Sequence, residues 1–111
     1  LDNLSQKINV VSEKSRHFLG SLDKVRGKIS CKNKKLEIAR EVLQKEFDKL
    51  CPKYGELDER INSDTSLTEK QFDRLLNKRQ AIQDNIEALE YGIGIITESI
   101  KHNQYLIRMC D

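Results

Sequence analysis

FDRLLNKRQAIQDNIEALEYGIGIITESIKHNQYLIRMC, residues 72–110, decides the fold of this chain. Stepping alternately by three and four residues from Phe72 meets Leu75, Arg79, Ile82, Ile86, Leu89, Ile93, Ile96, Ile100, Asn103, Ile107 and Cys110. Only Arg79 and Asn103 are polar. The alternation holds without a slip for about five and a half heptads, and a 3.5-residue period keeps one narrow stripe facing a partner helix. The stretch therefore reads as one long helix packed in the manner of a coiled coil. Its start is marked by the turn formers Asn62-Ser63-Asp64-Thr65. Ser66 with Glu69 three residues later then has the pattern of a capping box, in which each side chain satisfies an unpaired backbone N–H.

Two further stripes lie upstream. Leu1, Leu4, Ile8, Val11, Ser15, Phe18, Leu22, Val25 and Ile29 repeat with the same alternation, and Gly20 and Gly27 fall on the opposite face. Leu36, Leu43, Leu50 and Leu57 stand seven apart, with Arg40, Phe47, Tyr54 and Ile61 as their companions. The two stripes differ in phase. The polar, basic run Ser30-Cys31-Lys32-Asn33-Lys34-Lys35 between them reads as a turn, with Asn33 capping the next helix. Pro52 removes a helical hydrogen bond and clashes with the preceding turn, so a kink is expected there. The sequence thus predicts an all-α, antiparallel three-helix bundle of coiled-coil type, with helices at about 2–29, 34–61 and 67–109. A continuous helix through these segments is the alternative, each phase change being a four-residue stutter.

At 1.5 Å per residue the first two predicted helices reach roughly 42 Å each and the third roughly 65 Å. Residues 97–111 then overhang the bundle, still carrying Ile100 and Ile107 on the stripe and Tyr105 beside it. An uncovered apolar stripe calls for a partner, unless the helix bends back at Gly92-Gly94. Arg79, Ile100, Asn103, Tyr105 and Ile107 are accordingly the candidate partner-binding residues. Arg79 has two readings: a seam cation paired with Asp58, Glu59 or Glu46 on the facing helix, or a side chain snorkelling past the seam into water. Asn103 either fixes register or oligomeric state or lies in a frayed helix end.

Composition supports a charged helical bundle: 34% of residues are charged, 37% are hydrophobic, and there is one Pro and no Trp. A net charge of +2 sets up no field that favours nucleic acid or anionic lipid. Arg26, Lys28, Lys32, Lys34 and Lys35 crowd the predicted first turn, yet no aromatic residue is interleaved to stack on bases, so a solvated tip is the simpler reading. His17 and His102 stand alone, without Cys or carboxylate partners at ligand spacing. No metal, cofactor, small-molecule substrate or enzymatic chemistry is expected. No apolar run approaches a membrane span. Cys31, Cys51 and Cys110 are odd in number and widely spaced, which favours reduced thiols in an intracellular, cytoplasmic setting and leaves disulfides open. The start at Leu1, not Met, suggests a segment of a larger protein.

Two families of three-helix domains share these proportions. Spectrin-type cytoskeletal repeats carry tryptophans in their first and third helices, and this chain has none. BAG domains, co-chaperones that bind the ATPase domain of Hsp70, combine acidic groups on the second helix with basic and amide groups on the third. The placing of Asp48, Asp58, Arg79 and Glu87 resembles that face, although Glu87 stands where an amide belongs and Pro52 interrupts the second helix. The resemblance implies a charged chaperone-binding surface. The stripes themselves imply a protein–protein interaction or scaffolding module that binds a protein partner or a second copy of itself.

Overall fold

The computed structural model describes residues 2–111; Leu1, first on the predicted stripe, lies outside them. Two helices account for nearly all of the chain: α1, Asp2–Ser63, and α2, Glu69–Met109. They fold back on each other as a hairpin 98 Å long and about 15 Å across.

The predicted three-helix bundle is corrected at Ser30–Lys35, where α1 runs through without a turn. That run holds neither Pro nor Gly, and its lysines are good helix formers. Asn33 does not cap a helix there; its side chain is buried and bonded to α2. The phase change that suggested a break also moves. Leu22, Arg26, Ile29, Asn33 and Leu36 all face inward in unbroken alternation, whereas Val25 is 47% exposed. Two polar residues, Arg26 and Asn33, hold seam positions that apolar neighbours had masked. The helix also continues past Pro52, which lies on an exposed face.

The turn differs from its predicted form by two residues. Asp64 accepts hydrogen bonds from both the backbone N–H (3.0 Å) and the hydroxyl (2.6 Å) of Ser66. Ser66 is thereby held in the turn, and Thr68 caps α2 instead. The Thr68 hydroxyl accepts from the Gln71 N–H at 3.2 Å while the Gln71 side chain accepts from the Thr68 N–H at 3.0 Å. Thr68 and Gln71 have the same spacing as Ser66 and Glu69, and the tight Asx turn decides between them. The low Asp64 pKa has the same origin: Ser66, through its hydroxyl and then its N–H, stabilises the carboxylate.

The α2 stripe from Leu75 to Cys110 faces α1 throughout, as its period requires. Asn33 opposite Asn103 and Asp58 opposite Arg79 fix an antiparallel register. Gly92 lies where this register brings Leu43 close: a Cβ there would meet the Leu43 Cδ1 at 3.3 Å. The helix does not fold back at Gly92-Gly94. A seam between only two helices is open to water along both flanks. Among the described residues only Ile61, Leu75, Ile100 and Asn33 are buried, and no side chain is fully sequestered.

Candidate interaction surface

Because α1 and not α2 is the long helix, the overhang is the N-terminal part of α1 rather than residues 97–111. By the 1.5 Å rise, α1 reaches about 93 Å and α2 about 62 Å. The C-terminus of α2 is tied to α1 at Arg26, whose guanidinium bonds to both Asp111 and Asp23. These carboxylates, Asp111 foremost, raise the Arg26 pKa above its ordinary value. Beyond that clamp α1 continues alone. Residues 3–21 are all exposed, and Leu22 is the first half-buried position.

This arm keeps its stripe. Leu4, Ile8, Val11 and Phe18 are 60%, 59%, 63% and 64% exposed, with Val10 and Leu19 beside them. Ser15 is the one polar residue in the run. The stripe passes Phe18, Leu22 and Arg26 by two successive four-residue steps, a local stutter. The slip in heptad phase therefore falls where α2 ends: one phase serves the hairpin and the other serves the arm.

The residues singled out from the sequence are distributed differently. Ile100 is 3% exposed and Ile107 half-buried, both inside the hairpin against α1. Asn103 donates to the Asn33 side-chain oxygen at 2.8 Å, and Asn33 in turn donates to the Ile100 carbonyl at 3.3 Å. Arg79 donates to Asp58 at 2.6 Å, the cross-helix pairing rather than the snorkel. Tyr105 is 52% exposed. The five residues do not form one patch: four line the intramolecular seam and Tyr105 stands on the outer surface. Asp58 and Arg79, two of the four groups of the BAG-like face, are bonded to each other. The basic run Lys28–Lys35 forms no tip, since the chain does not turn there.

Elsewhere the surface is shallow. One groove follows the open flank of the seam, lined by Phe47, Cys51, Tyr54, Gln83, Ile86, Glu87 and Glu90. The Tyr54 hydroxyl donates to Gln83 across it at 3.3 Å. Cys31, Cys51 and Cys110 are free thiols. Among the described residues no His, Cys, Asp and Glu cluster could hold a metal ion, and no helix is long and apolar enough to cross a membrane. No family model, curated protein or solved structure matches the chain.

The arm's stripe was legible from the sequence, but its exposure was not. Exposure depends on which helix outlasts the other, and that turned on whether Asn33 caps a helix or packs in a seam.

Proposed function

We propose that this chain is a non-enzymatic helical interaction module: a hairpin that holds the first third of α1 clear as a docking arm. The observation that carries this reading is the run Leu4, Ile8, Val11 and Phe18, each about three-fifths exposed along one face. Burial of apolar surface is favourable by roughly 25 cal/mol per Å². A contiguous stripe of this length on an otherwise charged chain is the kind of surface that marks a protein contact. An amphipathic helix offering anchors at three- and four-residue spacing suits a helical partner, which reads the same spacing. The hairpin supplies rigidity and reach, and the arm projects along the long axis beyond the Arg26–Asp111 pair.

Site-specific photocrosslinking in the native cell tests this reading. A photoreactive residue at Ile8 or Phe18 should give discrete protein adducts, while one at Val42, equally exposed on the hairpin's outer face, should not. Equal labelling at all three positions, or none at Ile8 and Phe18, would sink the proposal.

A further inference from the structure

The two flanks of the hairpin carry opposite charge. One is the side of the groove, where Cys51 and Gln83 border the seam. On that side α1 holds Glu37, Glu41 and Asp48 and α2 holds Glu87 and Glu90, all exposed. The other is the side on which Gly92 approaches Leu43. There Lys53 and Arg60 follow the seam residues Leu50 and Leu57 by three, with Lys49 one turn before Lys53. Lys78 lies two heptads before Gly92, and Arg74 one turn before Lys78. These cations are exposed as well.

We infer that this chain stacks side by side with further copies of itself, the cationic flank of one hairpin lying on the anionic flank of the next. The argument is register as well as sign. Glu37, Glu41 and Asp48 are spaced by four and then seven residues, and so are Lys49, Lys53 and Arg60, each cation standing 12 residues after its carboxylate. A parallel copy displaced along the rod by that distance, about 18 Å at 1.5 Å per residue, sets Lys49 on Glu37, Lys53 on Glu41 and Arg60 on Asp48. Because α2 runs the other way, the same displacement sets Lys78 on Glu90, and brings Arg74 within one residue of Glu87. The carboxylates on the cationic flank do not oppose this register: Glu46 falls on Lys34 and Glu56 on Gln44. Toward the arm Lys35 comes level with Asp23 and Lys28 with Arg16, one pair of each kind.

An exposed ion pair contributes little alone, but several held in one register act as a network. A net charge of only +2 leaves little repulsion between copies to overcome. The two faces differ, so each added copy leaves one of each free and the stack does not close. The five pairs lie between Glu37 and Glu90, clear of the arm and of both chain ends.

The test uses the full chain. Light scattering should show large species at low ionic strength that dissolve to monomers as salt approaches about 0.5 M, where the screening length falls to roughly 4 Å. Lys53→Glu with Arg60→Glu makes both flanks anionic and should weaken association by roughly tenfold or more. Glu41→Lys with Asp48→Lys makes both flanks cationic and should do the same. All four positions are exposed, so the urea unfolding of either variant should match the parent. Mixing the two variants should restore assembly, since each offers the charge that the other lacks. Register is read by carbodiimide coupling of amines to carboxylates in a mixture of isotope-labelled and unlabelled chains. Isopeptides of mixed label should join Lys49 to Glu37, Lys53 to Glu41 and Lys78 to Glu90. Within one chain these pairs lie about 18 Å apart along the rod and on opposite flanks, out of reach of a bond without a spacer. A chain that stays monomeric at low salt overturns the inference. So does association that salt does not weaken, that either double variant leaves intact, or that Phe18→Glu abolishes, which belongs to the arm. Mixed-label coupling confined to other pairs refutes the register and the stack with it.

Discussion

The Asn33–Asn103 layer makes the sharpest demand on the register. Asn33 is 6% exposed in a seam whose neighbouring layers are aliphatic, and it holds two bonds across the interface, one to the Ile100 carbonyl and one from Asn103. Asn33→Ala removes both. The Ile100 carbonyl keeps its helical partner, but the half-buried Asn103 amide is left without one, and such a group costs about 1–3 kcal/mol. Alanine returns roughly 0.6 kcal/mol of helix propensity relative to Asn. The net loss expected is therefore about 1–2 kcal/mol, measured by urea unfolding at a concentration where the chain is monomeric. Asn103→Ala should cost less than the sum implies when combined with Asn33→Ala, because the second substitution removes a bond already lost. Replacing both residues by Leu should give a hairpin more stable than the parent, since an aliphatic layer replaces a polar one whose use is to specify register. If Asn33→Ala is neutral, and its effect adds to that of Asn103→Ala within about 0.5 kcal/mol, the two amides do not share a bond and the register is wrong.

Other expectations follow from the same structure. Ile100→Ala, at 3% exposure, should cost about 2–4 kcal/mol, while Phe18→Ala should change the monomer by less than about 0.5 kcal/mol; a reversed order in denaturant melts would place the arm in the core. Thr68→Ala should lower stability by about 1 kcal/mol, and an unchanged melting curve would mean that Thr68 does not cap α2. Asp64 has a lowered pKa in the folded chain, so its stabilising effect is complete above the ordinary Asp pKa and is lost as pH falls from there through the lowered folded value. Asp64→Asn should flatten the pH dependence of stability in that acidic window, and an unaltered acid limb would show that the Asx turn contributes nothing.

The α2 stripe was fully legible because a run of isoleucines in strict alternation has one reading. The turn was legible in place but not in detail: Ser66 and Thr68 each have a capping partner three residues on, and only the Asp64–Ser66 contacts separate them. The joining of the first two segments into α1 was hidden because a stripe read by its apolar members prefers Val25 to Arg26 and stops at Asn33. Both polar residues earn seam positions through contacts 70 to 85 residues away, which no local pattern contains. The candidate surface inherited that error, since the same misreading made the C-terminal helix the one left uncovered.

The hairpin's length has a kinetic consequence. Its cross-helix contacts are graded by the chain they enclose: 21 residues for Asp58–Arg79, 29 for Tyr54–Gln83, 70 for Asn33–Asn103 and 85 for Arg26–Asp111. Closing the largest of these loops directly costs about 1.2 kcal/mol more than closing the smallest, on the logarithmic scaling of loop entropy, and it leaves everything between still unpaired. Formation should therefore start at the Asp64–Thr68 turn and zip outward, each layer shortening the loop that the next must close. Substitutions near the turn should slow folding, whereas those at Asn33 or Arg26 should chiefly hasten unfolding. The end that carries the arm is then the last to close and the first to open, so fraying of the hairpin begins where the arm is attached.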